Sequence, residues 1–212
     1  KQAAELGPEP GTRVINPDEL SSRSRYELLT SLVVPRPIGW VSTWDSKGRP
    51  NLAPFSFFNA FSASPMFVGV SIGERGGVQK DTLVNIRNCG AFCVNVVSEP
   101  LLEAMNKTSA EVRPEVDEFD LAGLECVPSG RVEAPFVGEC SAVLECLVFQ
   151  EVELRESTNT LVIGEVVGVL LRPELEFEEG TCRVAYETLG AVGRLSGTDY
   201  LLPLHVRGIP RP

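Results

Sequence analysis

Two cations and a hydroxyl residue lie close together where the sequence predicts a loop followed by a helix. Lys80 and Thr82 stand at the predicted start of that helix, and Arg75 lies in the glycine-containing loop just before it. An ammonium, a hydroxyl and the unpaired N–H groups of a helix start can together bind a phosphate group, and a guanidinium can add a forked pair of hydrogen bonds. The alternative is that Asp81 or Thr82 only caps the helix while Lys80 is solvated.

A second candidate binding region consists of two short runs separated by a turn. Residues 35–43 read Pro-Arg-Pro-Ile-Gly-Trp-Val-Ser-Thr, residues 51–56 read Asn-Leu-Ala-Pro-Phe-Ser, and residues 45–48 lie between them. This pattern predicts a β-hairpin. Pro54 interrupts the second arm, which suits a strand end that presents backbone N–H and hydroxyl groups to a ligand.

Charge and hydropathy argue against several classes of function. The net charge is −10 and there is no basic run, so we expect no nucleic-acid partner. No stretch approaches the ~20 apolar residues that a membrane span needs, and no secretory signal is recognisable at the start. We therefore expect a cytoplasmic protein without membrane association, whose native start is left open because the chain begins with Lys1.

Cysteine and histidine usage gives no metal-binding or hydrolase pattern. None of the six cysteines forms a C-x-x-C pair, and His205 is the single histidine. Because a zinc site needs closely spaced ligands and a Ser-His-Asp hydrolase needs a placed histidine, we expect neither. We expect six free thiols, as in a reducing compartment. Without a G-x-G-x-x-G sequence after a strand, a nicotinamide dinucleotide would have to bind by a non-Rossmann route.

The elements that must position these residues are mostly strands. We predict a loose arm over 1–17, one domain over 18–200 and a tail over 201–212. Strands are predicted at 66–72, 91–97, 138–154 and 160–171, and helices at 18–33 with Asp18 as its cap, from Lys80 to Gly90, and at 99–107. The two long strands are expected to form a hairpin that turns at 157–159, and 108–120 is predicted to be an exposed excursion. Many strands with short helices favour a closed antiparallel barrel over a doubly wound parallel sheet.

Together these pieces resemble the flavin reductase-like family, whose members bind FMN on a split β-barrel. The resemblance rests on residues 35–43, residues 51–56 and Lys80-Asp81-Thr82 followed by Asn85-Ile86. It covers residues 25–200 and is strongest over 33–97. It implies a mainly β, antiparallel, Greek-key-like split barrel with a few short helices, of the flavoredoxin type. Residues 194–200 also look like a family segment that reads Arg-Leu-Gly-Gly and then Tyr, from which Ser196 departs.

The resemblance implies an FMN site formed by the phosphate-binding residues and the two strand ends. Ser42, Thr43, Ala53, Ser56 and Phe57 are implied to line the isoalloxazine ring, several through main-chain atoms. The predicted cofactor-binding residues are Arg36, Trp40, Val41, Ser42, Thr43, Asn51, Ala53, Pro54, Phe55, Ser56, Phe57, Ser71, Arg75, Lys80 and Thr82. Most of the four phenylalanines between 55 and 61 are expected in the core or in a subunit interface, because they are too many for one ring slot.

The activity implied by the resemblance is NAD(P)H:flavin oxidoreduction, in which hydride passes from NADH or NADPH to FMN. The cofactor supplies that chemistry, so no catalytic residue is named. Candidate partners are a flavin-dependent monooxygenase, an electron-transfer protein and a second copy of this chain in a homodimer. Two alternatives stay open: a flavoredoxin-like electron carrier with tightly bound FMN, and a split-barrel binding module without a redox role.

Overall fold

The structure, a computed structural model, describes residues 11–202 and 206–209. Its helices are α1 (Ser22–Leu32), α2 (Asp81–Cys89), α3 (Leu102–Lys107), α4 (Glu118–Ala122) and α5 (Tyr186–Leu189), with 3-10 turns at Pro17–Glu19 and Glu99–Leu101. Its strands are β1 (Arg36–Pro37), β2 (Gly39–Trp44), β3 (Pro50–Phe55), β4 (Phe58–Ala63), β5 (Met66–Ile72), β6 (Glu74–Arg75), β7 (Val78–Gln79), β8 (Ala91–Val96), β9 (Cys126–Pro128), β10 (Pro135–Val137), β11 (Ala142–Glu153), β12 (Thr160–Leu171), β13 (Gly193–Arg194) and β14 (Tyr200–Leu201). Residues 1–10, most of the predicted arm, and His205 in the predicted tail lie outside the described ranges.

A seven-stranded sheet in the order β3-β2-β8-β11-β12-β5-β4 dominates the fold. Its neighbouring strands are all antiparallel. The predicted hairpin is present as β2 and β3, and its turn forms because Asp45 Oδ1 accepts hydrogen bonds from the N–H groups of Lys47 and Arg49 while Gly48 adopts a φ of +75°. The predicted mainly β, antiparallel fold with few short helices is confirmed.

The two edge strands of this sheet are consecutive in the chain. Only Ser56 and Phe57 separate β3 from β4, so the sheet must curl until its two edges meet at this junction. The expected closed barrel is wrong in one respect: β3 pairs with β2 alone, and β4 pairs with β5 alone, among the described strands. Pro50 and Pro54 remove two N–H donors from β3, which limits ladder formation along this edge and leaves the barrel split.

Both faces of the sheet are covered by apolar side chains. Alternate residues of a strand point to opposite faces, so Trp40 packs into a cluster with Phe119, whereas Val41 packs into a second cluster with Ile86 of α2 and Phe92. All five side chains are at most 1% exposed. Complete burial of such a side chain stabilises the fold by roughly 1.5–3 kcal/mol, and these clusters fix α2 against the hairpin.

Three segments differ from the sequence predictions. Residues 109–116 are mostly exposed, as expected, but the end of the predicted excursion is not, because α4 begins at Glu118 and Phe119 is 1% exposed in the core. The predicted first helix begins at Ser22 instead of Asp18, since Ser21 Oγ accepts a hydrogen bond from Ser24 N and caps it. β4 was not predicted as a strand, and it pairs with β5 at the sheet edge.

The structure places the six cysteines as separate thiols. Burial raises the pKa of Cys140 and Cys146 to about 12, and that of Cys126 to about 11. Within the described residues, no helix is long and apolar enough to cross a membrane. The same residues contain no group of three or more His, Cys, Asp or Glu arranged to hold a metal ion.

Candidate functional site

The first candidate feature is the N-terminus of α2. Lys80 is its N-cap residue with an extended backbone, and its side chain makes no capping hydrogen bond. The first intrahelical donors are the N–H groups of Leu83 and Val84, which both reach Lys80 O. The amides of Asp81 and Thr82 precede them at the open end of the helix, where backbone N–H groups and the helix dipole favour an anion.

Two cations stand at this helix end. The half-buried Lys80 ammonium lies 5.0 Å from the centre of the Phe55 ring, and the exposed Arg75 guanidinium pairs with Glu111 at 3.1 Å. The pKa of Lys80 is lowered, first by burial and then by the positive charge of Arg75, while Glu111 opposes the shift. A bound anion would stabilise the charged form of Lys80. It would offset both the desolvation cost of the half-buried ammonium and the repulsion between Lys80 and Arg75.

Thr82 has a different role from the one that the sequence suggests. It is 1% exposed, and its hydroxyl donates to Asn51 Oδ1 at 2.9 Å. Beside it, Asn85 Nδ2 donates to Thr43 Oγ1 at 3.1 Å. The side chains of Thr82, Asn51 and Thr43 therefore tie α2 to the hairpin, and α2 offers an anion its backbone amides.

The second candidate feature is a groove of about 320 Å³ at the junction of β3 and β4. Its walls are mainly apolar and come from α1, β1, β4, β5 and β12. The lining residues are Leu29, Val33, Pro35, Arg36, Pro37, Ser56, Phe57, Phe58, Asn59, Phe61, Gly69, Ser71 and Leu161. An apolar slot with a few hydroxyl and backbone groups suits a planar aromatic ligand.

Polar groups of the groove are held by neighbouring residues. Asn159 Nδ2 donates to Ser71 Oγ at 3.0 Å, and Ser71 N donates to Phe57 O at 2.8 Å. Arg36 Nε lies 3.4 Å from Ser56 Oγ. The sequence predicts Asn159 only as a turn residue, because its partner Ser71 is 88 positions away in the chain.

Arg36 forms part of the groove wall through bonds to the backbone. Arg36 is 4% exposed, and its guanidinium donates to Thr30 O at 2.7 Å, Val33 O at 2.9 Å and Leu195 O at 2.8 Å. Burial is the main cause of its lowered pKa. Its charge therefore satisfies the C-terminal carbonyls of α1 and one carbonyl of the 194–200 segment.

Three other candidates are enclosed in the fold. Trp40 Nε1 donates to Thr108 Oγ1 at 2.9 Å, Ser42 Oγ donates to Pro135 O at 2.6 Å, and Val41 is fully buried in the core. Ala53 and Pro54 are half-buried on the edge strand β3. The side chains of the first three contact the interior, so they shape the hairpin that carries the site.

The two candidate features are continuous along the chain. Phe55 lies under the Lys80 ammonium, and the next two residues, Ser56 and Phe57, line the groove. The structure thus brings together a cationic helix end and an apolar groove, the combination needed to bind a planar ring that carries a phosphate. Of the predicted residues, Lys80, Arg75, Phe55, Ser56 and Phe57 lie along this path, with Ser71 on the opposite wall.

Comparison with known proteins identifies the domain family. Residues 31–189 match the model of the flavin reductase like domain. An uncharacterized protein of Halalkalibacterium halodurans is 39% identical over 191 residues, covering 88% of this chain and 90% of that protein. An uncharacterized protein of Bacillus subtilis is 34% identical, covering 88% of this chain and 93% of that protein.

Solved structures extend the comparison. Nitrilotriacetate monooxygenase component B from Bacillus cereus is 31% identical with a TM-score of 0.88, covering 94% of this chain and 100% of that one. The 2-nitrobenzoate 2-nitroreductase of Pseudomonas fluorescens is 28% identical with a TM-score of 0.85, covering 94% and 96%. Flavoredoxin of Desulfovibrio vulgaris shares the fold, with a TM-score of 0.73 at 22% identity over 84% of this chain and 91% of that one. The domain match over residues 31–189 and the relatives at 39% and 34% identity show that this chain belongs to the flavin reductase like domain family.

Proposed function

We propose that this protein binds FMN and catalyses its reduction by NADH or NADPH. The observation that carries the proposal is the Lys80 ammonium, half-buried at the open end of α2 and next to Arg75, where the groove begins. FMN has both parts that this arrangement requires, a planar three-ring system and a phosphate dianion. When bound, FMN accepts a hydride from the nicotinamide, and the protein supplies binding, orientation and electrostatics.

The phosphate end is assigned to charges and amides of this chain. Lys80 and Arg75 supply two positive charges, and the N–H groups of Asp81 and Thr82 supply donors at the helix end. Hydrogen bonds in which the acceptor is ionised are shorter and stronger than neutral ones. Phe55 keeps the ammonium partly out of water at 5.0 Å, which strengthens its attraction for an anion.

The ring end is assigned to the groove. Its apolar walls exclude water from one face of the ring, and the hydroxyls of Ser56 and Ser71 with the backbone of Phe57 offer hydrogen bonds along the edge. Donors fixed before reaction stabilise negative charge that develops on the ring, because they need no reorganisation. The open side of the groove leaves space for a nicotinamide to approach. No acid–base residue is assigned a catalytic role.

A monooxygenase is the electron acceptor that we propose for the reduced flavin. The support is the 31% identity to nitrilotriacetate monooxygenase component B, with coverage of 94% and 100% of the two chains. We also propose that the protein acts in the cytoplasm.

The reductase proposal is tested by mixing protein and FMN with NADH or NADPH in the absence of oxygen. We expect the visible absorbance of FMN to fall far faster than in the same mixture without protein, with at least one of the two nicotinamides. No acceleration with either one would contradict the proposal. Ultrafiltration of the reduced mixture then separates two roles: reduced flavin in the filtrate indicates a reductase that releases it, and flavin retained with the protein indicates an electron carrier.

We propose further that the working unit is a homodimer in which the flavin lies close to the subunit interface. Leu29, Val33 and Phe61 line the groove and are 51%, 53% and 57% exposed. A ligand that binds one assembly state stabilises it by mass action, so FMN should shift the monomer–dimer balance toward the dimer. Sedimentation at several protein concentrations, with and without FMN, measures this. A monomer that binds one FMN per chain at every concentration would contradict it.

The ion pair between Glu111 and Arg75 should weaken FMN binding, because Glu111 competes with the phosphate for the guanidinium. Both side chains are exposed, at 76% and 47%, and surface pairs of this kind are worth about 0–1 kcal/mol. Glu111→Gln should therefore tighten FMN binding by up to about fivefold. Glu115→Gln, an exposed charge change in the same segment, is the matched control. An equal effect in both variants would indicate net charge instead of competition.

A further inference from the structure

A buried carboxylate outside the groove is connected to the start of α2. Glu118 is the first residue of α4 and is 7% exposed. A cap and a buried ring fix this short helix. Asp117 Oδ1 accepts hydrogen bonds from the N–H groups of Phe119 and Asp120, and Phe119 is 1% exposed in the core. The position of the Glu118 carboxylate is therefore set by the packing of α4.

The Glu118 carboxylate satisfies the free edge of β3. Asn51 Nδ2 donates to both of its oxygens at 3.1 Å, and Leu52 N donates to Oε2 at 3.1 Å. Leu52 N belongs to the edge strand β3, which pairs with β2 alone among the described strands. The carboxylate thus takes the place of a neighbouring strand at this point and fixes the Asn51 amide.

The orientation of Asn51 then controls Thr82. An ionised carboxylate only accepts hydrogen bonds, so the Asn51 amide must turn its Nδ2 toward Glu118 and its Oδ1 away. That Oδ1 accepts the hydrogen bond from Thr82 Oγ1 at 2.9 Å. The chain Glu118–Asn51–Thr82 therefore ends on the first turn of α2, two residues after Lys80.

Burying the Glu118 carboxylate costs desolvation free energy that an apolar side chain at this position would not cost. Burial is the main cause of the raised pKa of Glu118, Asp81 raises it further, and the hydrogen bonds from Leu52 and Asn51 lower it. A well-packed apolar side chain at such a site avoids the desolvation penalty of a buried charge. What the carboxylate provides instead is a defined direction for the Asn51 amide.

We propose that Glu118 is a positioning residue that acts through Asn51 and Thr82 to hold the α2 amides and Lys80 in place for the phosphate of the flavin. This inference rests on the proposed FMN binding. It predicts that the chain supports the phosphate end and not the ring groove, because Glu118, Asn51 and Thr82 do not line the groove.

Riboflavin separates the two ends of the site, because it has the same ring system as FMN and no phosphate. Glu118→Ala should weaken FMN binding by about tenfold, the scale of a lost hydrogen bond to a charged group, and leave riboflavin affinity within about twofold. Glu118→Gln should recover only part of the FMN affinity, because its amide oxygen can still accept from Leu52 N while its Nε2 is a donor that faces the Asn51 Nδ2 donor. Glu103→Ala on the exposed face of α3 removes one carboxylate as the matched control.

A variant at the other end of the chain tests the same proposal if Glu118→Ala folds poorly. Thr82→Val keeps the shape of the side chain and removes the hydroxyl, and it should also weaken FMN binding alone. Because both changes break one chain, the double variant should lose no more than the larger single loss. Equal losses for FMN and riboflavin, or no loss for either, would overturn the positioning role while FMN binding stands. A wild-type protein that binds no FMN would overturn both proposals.

Discussion

Replacing Lys80 with alanine should weaken FMN binding by about 10- to 100-fold, because hydrogen bonds to charged groups are worth about 1.5–3 kcal/mol. The ammonium is half-buried over Phe55, so solvent screens it less than a surface lysine. Titration of FMN with each protein, followed by flavin fluorescence, gives the two dissociation constants. The loss should be confined to FMN, with riboflavin bound equally by both proteins.

Lys47→Ala is the matched control for this variant, because Lys47 is exposed in the β2–β3 turn and the charge change is the same. The pH dependence gives a second check. Burial and Arg75 lower the pKa of Lys80, so the ammonium loses its proton at a lower pH than an exposed lysine would. FMN affinity should fall as the pH rises through that pKa, and this fall should be absent in Lys80→Ala. Equal FMN affinity in wild type, Lys80→Ala and Lys47→Ala would show that the phosphate binds elsewhere.

Replacing Arg36 with methionine should lower the free energy of unfolding by about 3–5 kcal/mol, because several buried carbonyl acceptors lose their donor at once. Arg36 is 4% exposed, and its guanidinium donates to the carbonyls of Thr30, Val33 and Leu195. Methionine has a similar length but leaves these buried acceptors without a donor, and each unpaired acceptor costs about 1–3 kcal/mol. Urea unfolding of both proteins measures the difference.

Arg194→Met is the control for Arg36, because the Arg194 guanidinium lies over the Tyr200 ring at 4.3 Å and is half-buried. A cation–π contact of this kind is worth about 0.5–1 kcal/mol. Arg36→Lys should be intermediate, since an ammonium cannot reproduce the forked geometry of a guanidinium. Equal losses in the Arg36→Met and Arg194→Met variants would mean that the three carbonyl contacts contribute little to stability.

Elements with strong local signals were predictable from the sequence. The β2–β3 hairpin follows from a turn in which Asp45 and Gly48 have specific roles, and α2 ends at Cys89, where Gly90 caps it with a φ of +66°. The long β11–β12 pair follows from two apolar, β-branched runs. In contrast, α4 has five residues, too few for a periodic pattern, and the burial of Phe119 in the tertiary fold determines its position. β4 is an edge strand with exposed residues, so it lacks the apolar alternation of a central strand.

The residues of the candidate site whose placement depends on neighbouring sequence were predictable. Those whose hydrogen-bond partners are far away in the chain were not. The position of Lys80 at a helix start could be predicted because a loop precedes it. The hydroxyl of Thr82 pairs with Asn51, 31 residues away, and the guanidinium of Arg36 pairs with Leu195 O, 159 residues away. Judged by residue type alone, Thr82 and Arg36 look like ligand-binding residues. Only the fold shows that their polar groups bond to other residues of the protein.

The most direct test of the central claim is a crystal structure of the protein with FMN. We expect the phosphate within hydrogen-bond distance of Lys80 Nζ and of the backbone amides at the start of α2. We expect the isoalloxazine ring in the groove between Ser56 and Ser71, with Glu111 displaced from Arg75. FMN bound with its phosphate away from Lys80, for example in the separate cavity lined by Asp45, Asp81 and Asn88, would contradict the account.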